Sequence, residues 1–334
     1  MGQDASALLD LAGGSLRARY GILPPQREAI RLFCGVCEDD WQGFPVEVGP
    51  YACISPVYGR TEATKRSNEA QLSPRTTAVI QDSGAFCDQP GSRLTFDQAL
   101  RRQIDHADRR GYAERVTHRA SYDLLVDEKW SLTTGRRSKS RWSEEEAWDA
   151  CVTTIQAAKF LSAHREGLRC LLSAQGVTPA QYLKCAQGIL PYFQPGDFFA
   201  LGGWCVLGLY PRRFLAVFRE IIHQLVPFLA REGIKHIHIW GCVYAPALGE
   251  LLWLCDRYGM TLSTDSVGPS LHPVFGEWGY ASWRDPSYQR PSGFLLARHR
   301  QLHTALTRCW LAHLREREAR YYAWRPVQKQ WAFF

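Results

Sequence analysis

Leu168-Arg-Cys-Leu-Leu-Ser-Ala-Gln175 is an apolar run of strand length, and Thr178-Pro-Ala-Gln181 follows it closely. The second string is typical of a helix start, because Thr is a good N-cap, Pro suits the first helical position and Gln suits the third. A further apolar run, Phe198–Trp204, begins about 30 residues after the first. Strand, helix and strand at this spacing predict two parallel strands joined by a crossover helix.

The same alternation continues through most of the 334 residues. Helical patterns with capping residues, such as Thr95 and Ser143, lie between the apolar runs. Eight strands, one of them indistinct near residues 31–48, predict a (β/α)8 barrel in a single domain, 1–334. An N-terminal extension (about 1–48) and a C-terminal helical segment (about 291–334) would flank it. An open doubly wound sheet is the alternative, but no glycine-rich dinucleotide loop follows an early strand. The seven distinct strands are predicted at Tyr51–Ser55, Ala78–Asp82, Tyr122–Asp127, Leu168–Gln175, Phe198–Trp204, His236–Trp240 and Met260–Asp265.

Polar or glycine residues stand at six of these strand ends. They are Asp82, Asp127, Gln175, Gly202-Gly203, Trp240-Gly241 and Asp265. In a barrel of this class, the carboxyl ends of the strands form the active-site face. Two carboxylates at that face suit retaining glycosyl transfer, in which one attacks the sugar carbon and the other moves protons.

The strand ends resemble, in order and over about residues 50–270, the motifs of the tRNA-guanine transglycosylase superfamily. The family's Asp-Ser-Gly-Gly-(Phe/Tyr)-Gln corresponds to Asp82-Ser83-Gly-Ala-Phe86-Cys87, and its Asp…Phe-Asp-Glu to Asp123-Leu-Leu-Val-Asp127-Glu128. The remaining matches are Gln175-Gly176, Leu201-Gly202-Gly203-Trp204, Trp240-Gly241 and Asp265-Ser266-Val267.

This resemblance implies base exchange at a guanosine. Asp265 would attack C1′ as the nucleophile, and Asp82 would serve as general acid and base. Asp127 would accept hydrogen bonds from the guanine edge, and Gln175 and the Gly203 amide would reach its O6, with Gly202 and Ser83 also in the base-binding set. Ser83 belongs to the same motif as Asp82, and Phe86 and Trp240 would sandwich the ring, although ordinary core packing explains these two aromatics equally well without the family.

Departures from the family pattern narrow the resemblance. The tRNA enzymes carry a zinc-binding Cys-x-Cys-x-x-Cys plus His after the nucleophile, whereas residues 266–308 contain no Cys. Their Leu-Pro-Thr-Arg is replaced by Gly268-Pro-Ser-Leu271. Ala85 and Cys87 also differ from the family's Gly and Gln. The chain therefore most resembles the DNA 7-deazaguanine transglycosylases of bacteria and phages.

The implied activity is exchange of guanine in DNA for a 7-deazaguanine base. Where aminomethyl-accepting tRNA enzymes have a Glu after Leu-Gly-Gly, this chain has Gly208, so we expect a preference for the neutral 7-cyano base. One alternative is a tRNA-guanine transglycosylase without zinc. Another is a non-catalytic nucleic-acid-binding subunit. Radiolabelled base offered with DNA and with tRNA would separate them.

Basic residues favour a nucleic-acid partner. The net charge is +7. One basic loop precedes the predicted strand that ends at Asp82, and another directly follows the predicted strand that ends at Asp127. A solvated loop is the competing interpretation. The residues that we expect to contact phosphates are Arg60, Lys65, Arg66, Lys129, Arg136, Arg137, Lys139 and Arg141.

The remaining composition points to a folded cytoplasmic protein. The sequence is 46% hydrophobic with 12 Trp, 14 Tyr and 15 Phe, which argues against disorder. No stretch has the length of a membrane span, and the 11 Cys lie mostly in apolar segments, as reduced core residues do. Cys34-Gly-Val-Cys37 is the one Cys-x-x-Cys; a metal site with Cys53 or Cys87 is an alternative to simple burial. We expect no metal and no cofactor, and the sequence leaves open whether the chain forms a homodimer.

Overall fold

The computed structural model contains a closed barrel of eight parallel strands in chain order, with β1 pairing with β8 to complete the ring. The barrel confirms the predicted (β/α)8 fold. The first and last strands pair directly with each other, with Phe33 on β1 opposite Asp265 on β8. The structure describes residues 30–35, 50–56, 72, 75–88, 93–126, 143–204, 211–266, 304, 307–308, 311 and 314–315, without the side chains of residues 87 and 211–213.

The strands are short and alternate with helices. They are β1 (Arg31–Gly35), β2 (Tyr51–Ile54), β3 (Ala78–Gln81), β4 (Val116–Ala120), β5 (Arg169–Ala174), β6 (Phe198–Leu201), β7 (His236–Ile239) and β8 (Thr261–Ser266). The helices whose bounds lie in the described part of the chain are α1 (Ala85–Asp88), α2 (Phe96–Arg109), α3 (Glu144–Ala163), α4 (Pro179–Ile189), α5 (Pro211–Arg231) and α6 (Ala245–Arg257), with 3₁₀ turns at Ala113–Arg115 and Leu190–Tyr192.

Side-chain hydrogen bonds fix where three helices begin. Thr95 and Gln98 form a complete capping box at the start of α2, and Ser143 and Glu146 form another at α3. Thr178 caps α4 by accepting a hydrogen bond from the Gln181 amide. All three starts agree with the sequence-based predictions.

Two apolar layers follow from the period-two alternation of the strands. Phe33, Ile80, Leu171 and Phe198 pack together in one buried cluster inside the barrel. The intervening residues, such as Leu172, Phe199 and Ile237, are fully buried in a second and larger cluster, against the helices. Because both faces of each strand are covered, the strand sequences are almost continuously hydrophobic.

One predicted strand lies elsewhere in the chain, and another is confirmed. The strand predicted at Tyr122–Asp127 is wrong: β4 is Val116–Ala120, and residues 121–126 form an irregular segment after it. The indistinct first strand, predicted near residues 31–48, is β1 (Arg31–Gly35), so the barrel begins inside the segment that the sequence assigned to an N-terminal extension. Within the described part of the chain, no helix has the length and apolar character needed to cross a membrane.

Candidate active site

Three carboxyl groups meet at the mouth formed by the carboxyl ends of the strands. Asp82 follows β3 directly, Asp123 is the third residue after β4, and Asp265 lies near the end of β8. They lie close enough for the charges of Asp265 and Asp123 to act on Asp82. The barrel thus brings together residues that are far apart in the sequence.

The surroundings of Asp82 perturb its ionisation. Burial raises its pKa from 3.8 to about 6, and the charges of Asp265 and Asp123 add to the rise. Ser55 and the Ser83 amide oppose it, and that amide donates to Asp82 Oδ1 at 2.7 Å. A carboxyl group with a pKa of about 6 can both donate and accept a proton near neutral pH.

Asp265 has two polar neighbours at a single carboxylate oxygen. The Gly241 amide donates to its Oδ1 at 2.7 Å, and His238 Nε2 lies 3.3 Å from the same atom. Gly241 has φ +61, a left-handed conformation that suits glycine. The Asp265 side chain is 16% exposed, and in the described part of the chain no residue donates to Oδ2. This arrangement fixes the carboxylate while leaving one oxygen available.

Asp123 and Gln175 form a buried polar pair beside the two other aspartates. Gln175 Nε2 donates to Asp123 Oδ2 at 2.6 Å, and Gln175 Oε1 accepts from the Val126 amide at 3.2 Å. Burial raises the pKa of Asp123, against the opposing effects of Gln175, Arg93 and Ser173. Ser173 Oγ also accepts a hydrogen bond from Trp240 Nε1 at 2.9 Å. One network therefore joins the ends of β4, β5 and β7.

Gly202 and Gly203 give Gln175 the space that it occupies. A Cβ at Gly202 would lie 1.9 Å from Gln175 Nε2, so any other residue there would displace the amide. Gly203 has φ +80, and a Cβ there would lie 2.8 Å from the Val126 carbonyl oxygen. The Gly202 carbonyl accepts from the Tyr182 hydroxyl at 2.6 Å. Close packing of the β5 and β6 ends therefore requires both glycines.

The remaining predicted contacts lie around this network. Ser83 is buried, and its Oγ accepts from the Ala85 amide at 3.3 Å at the start of α1. Phe86 is half-buried on α1, in the turn that follows Asp82. Trp240 is half-buried after β7, and its ring meets His238 edge-on with centroids 4.6 Å apart.

Several predicted residues lie outside the described part of the chain. They are Asp127, Gly208 and the phosphate-contacting set of Arg60, Lys65, Arg66, Lys129, Arg136, Arg137, Lys139 and Arg141. Near the mouth, the structure instead describes Arg93, which donates to the Asp123 main-chain oxygen at 2.7 Å, and Arg102, which donates to that of Ser83 at 2.7 Å. Both arginines lie over the Tyr122 ring.

Asp123 and His238 are parts of the site that the sequence-based prediction does not include. Asp123 enters that prediction only as the first residue of a motif, because the predicted strand at Tyr122–Asp127 lies later in the chain than β4. His238 had a visible signal, since His236-Ile-His238-Ile-Trp240 alternates polar and apolar residues in a strand that is otherwise buried. A period-two polar pattern in a barrel strand puts those side chains in the interior.

Metal ligands do not cluster in the described part of the chain, where no group of three or more His, Cys, Asp or Glu side chains is arranged to hold an ion. Cys34 packs in the cluster between barrel and helices, whereas Cys53 packs inside the barrel. Cys37 and the Cys87 side chain lie outside the described residues.

Comparison with known proteins adds no family. No family model matches the chain, and no curated protein matches it. Similar solved structures include a protein described as a fructose-1,6-biphosphate aldolase of Coccidioides immitis, with 11% identity, a TM-score of 0.45 and coverage of 94% of this chain and 98% of that one. An L-ribulose 3-epimerase has 14% identity, a TM-score of 0.37 and coverage of 85% and 90%. Likeness at this level gives no information about the reaction.

Proposed function

We propose that this chain is a guanine transglycosylase that exchanges guanine in DNA for 7-cyano-7-deazaguanine. One observation carries the proposal: a proton-transferring carboxyl group, Asp82, and an anchored carboxylate, Asp265, share the mouth of the barrel. Their charges interact, and their environments suit different roles: the pKa of Asp82 is raised to about 6, whereas Asp265 Oδ1 is held by the Gly241 amide at 2.7 Å. Two carboxyl groups with separate roles are what retaining glycosyl transfer requires.

The first half-reaction replaces the base by the enzyme. Asp265 attacks C1′ of the deoxyribose, the C1′–N9 bond breaks, and its electron pair leaves with guanine. Asp82 in its protonated form gives its proton to the departing base. The product is an ester between Asp265 and C1′, with Asp82 now ionised. Gly241 and His238 keep Oδ1 of Asp265 in place, which favours attack by Oδ2.

The second half-reaction reverses these roles. Asp82 removes the N9 proton of the incoming 7-deazaguanine, whose nitrogen attacks C1′ and releases the Asp265 carboxylate. Two inversions give net retention, and Asp82 regains the proton it lost. The exchange needs no oxidant, reductant or nucleoside triphosphate.

Base recognition fits the polar pair at the ends of β4 and β5. A guanine edge presents donors at N1 and N2 and an acceptor at O6, so it needs a carboxylate and an N–H donor side by side. Asp123 and Gln175 lie side by side because Gln175 Nε2 donates one hydrogen to Asp123 Oδ2 at 2.6 Å, and the second hydrogen of that amide and the other carboxylate oxygen are the groups that we assign to the base. Asp127, which the family resemblance assigns to this role, remains a second candidate. Trp240 offers a flat wall for a base that has left its stack.

The assignment of DNA as the nucleic-acid substrate and of 7-cyano-7-deazaguanine as the incoming base rests on the sequence resemblance to the DNA-modifying enzymes. The main competing substrate is tRNA, and the non-catalytic alternative would bind nucleic acid without exchange. The half-buried Asp82, with its raised pKa, argues against the latter, because a strongly perturbed ionisable group in a barrel mouth is expected mainly where it performs chemistry.

Base exchange can be tested directly. We would offer labelled guanine, and 7-cyano- and 7-aminomethyl-7-deazaguanine in competition, with duplex DNA, single-stranded DNA and tRNA, and analyse the nucleosides by mass spectrometry. We expect incorporation of the 7-cyano base into DNA. Asp265→Ala should abolish exchange and the covalent enzyme–DNA adduct, and Asp82→Asn should slow base departure by several powers of ten.

Asp97→Asn is the matched control, because Asp97 is an exposed carboxylate on α2 that pairs only with Arg101 among the described residues. Its activity should equal that of the unmodified chain. Incorporation into tRNA alone would refute the DNA assignment. Near-normal exchange by Asp265→Ala would refute the assignment of the nucleophile.

A further inference from the structure

Two neighbouring strands present polar side chains to the barrel interior at alternate positions. β7 carries His236 and His238, and β8 carries Thr261, Ser263 and Asp265. The strands pair in parallel with His236 opposite Thr261 and His238 opposite Ser263. Because side chains of a strand alternate between its faces, the five polar groups form one inner row.

The row is a continuous hydrogen-bonded chain that ends at Asp265. Thr261 Oγ1 lies 2.6 Å from His236 Nδ1, and His236 Nε2 lies 2.6 Å from Ser263 Oγ. Ser263 Oγ lies 2.8 Å from His238 Nδ1, and His238 Nε2 lies 3.3 Å from Asp265 Oδ1. His238 and Ser263 are fully buried, so their partners must come from the protein.

With both imidazoles neutral, counting protons selects one orientation for the chain. In it, the Thr261 hydroxyl gives its hydrogen to His236 Nδ1 at 2.6 Å rather than to the Lys235 carbonyl at 3.3 Å. Four links need four hydrogens, and two hydroxyls with two neutral imidazoles supply four. With Asp265 as a carboxylate, every donor points towards it: Thr261 to His236, His236 to Ser263, Ser263 to His238 and His238 to Asp265. Both imidazoles then carry their proton on Nε2.

The opposite orientation would place a proton on Asp265 and both imidazole protons on Nδ1. It is disfavoured because the Gly241 amide donates to the same Oδ1 at 2.7 Å, which suits an acceptor. Burial also lowers the pKa of His236 well below 6.5, which keeps this imidazole neutral as the count requires.

We propose that His238 is a positioning residue for Asp265, and that Ser263 and His236 lock it in the tautomer that donates from Nε2 to Asp265 Oδ1. The inference rests on the role of Asp265 in the proposed function. The lock orients the carboxylate so that its other oxygen faces C1′, without any contact between His238 and the substrate.

The tautomers can be observed without any substrate. Long-range ¹H–¹⁵N correlation spectra of the unmodified full chain near neutral pH, assigned with His236→Gln and His238→Gln, report which ring nitrogen carries hydrogen. We expect both imidazoles to be neutral with hydrogen on Nε2. Hydrogen on Nδ1 of either residue, or double protonation of either, would overturn the proposal.

Kinetics separate positioning from simple structural support. Ser263→Ala should lower kcat about tenfold at unchanged KM, because His238 then samples the tautomer that cannot donate to Asp265. Ser162→Ala is the matched control, since it removes a hydroxyl at the opposite end of the barrel, from α3, where Ser162 donates to the Tyr192 carbonyl at 3.0 Å. It should leave kcat unchanged.

A double-mutant cycle completes the test. The amide of His238→Gln donates without any choice of tautomer, so in this background Ser263→Ala should cost no further kcat. An equal loss in both backgrounds, or no loss from Ser263→Ala alone, would overturn positioning. If the unmodified chain exchanges no base at all, the proposed function fails, and the spectra still decide whether the lock exists.

Discussion

At the scale of single residues, the ionisation of Asp82 makes the stability of the protein depend on pH. Burial raises its pKa from 3.8 to about 6, with Asp265 and Asp123 adding to the rise. The folded protein therefore holds a proton between about pH 4 and 6 that the unfolded chain has released. Stability contributed by Asp82 falls as the pH rises through this window, and the loss is complete above about pH 6.

The variant Asp82→Asn should therefore be more stable than the unmodified chain near pH 7.5, by about 1–3 kcal/mol, and equally stable near pH 4. The amide carries no charge to bury, and its oxygen can still accept from the Ser83 amide. Urea unfolding at both pH values measures the difference. Asp97→Asn, at an exposed site, should show no comparable gain. A less stable Asp82→Asn at pH 7.5 would contradict this reasoning.

At the scale of elements, the ends of β5 and β6 are packed too tightly for a side chain between them. The Gly202 amide donates to the Ala174 carbonyl at 3.1 Å, which holds the two strand ends together. A Cβ at Gly202 would meet the Gln175 amide at 1.9 Å. The Asp123–Gln175 pair therefore depends on a glycine in the neighbouring strand end.

We expect Gly202→Ala to lower the free energy of unfolding by about 2–4 kcal/mol, because it overpacks a buried site and breaks the hydrogen bond from Gln175 to Asp123. Gly111→Ala is a useful contrast: Gly111 has φ +66 with nothing within 4 Å of a new Cβ, so only backbone strain of about 1 kcal/mol is expected. Urea unfolding of both variants compares the costs. Equal costs would show that Gln175 moves aside freely.

At the scale of the whole molecule, the two ends of the barrel respond to pH in opposite directions. At the end away from the mouth, the Phe198 ring is stacked between His118 and His236, with centroids 3.7 and 3.6 Å away. Burial lowers the pKa of His118 to about 4 and that of His236 well below 6.5. The unfolded chain therefore binds protons first, and stability is lost as the pH falls from about 6.5 to about 4.

The variant His118→Gln should lack its share of this acid sensitivity. When the pH falls from about 7 to about 4, the free energy of unfolding of the variant should rise by about 2–3 kcal/mol relative to that of the unmodified chain. This change does not depend on the variant's stability at neutral pH. Urea unfolding across that range tests it. Because Asp82 and Asp123 oppose the histidines, the unmodified chain alone should show a smaller net change. If the difference in free energy of unfolding between the two proteins stayed constant from about pH 7 to about pH 4, His118 would have no part in the acid sensitivity.

The sequence by itself determined the barrel, three helix starts and the strand ends that carry Asp82, Gln175 and Asp265. These follow from local rules, because apolar alternation and capping act within a few residues. Only the tertiary structure decided that Asp123 pairs with Gln175 and that His238 reaches Asp265. Both contacts join different strands, so they depend on the register in which the barrel closes, and register is set by packing across the whole ring rather than by any one segment.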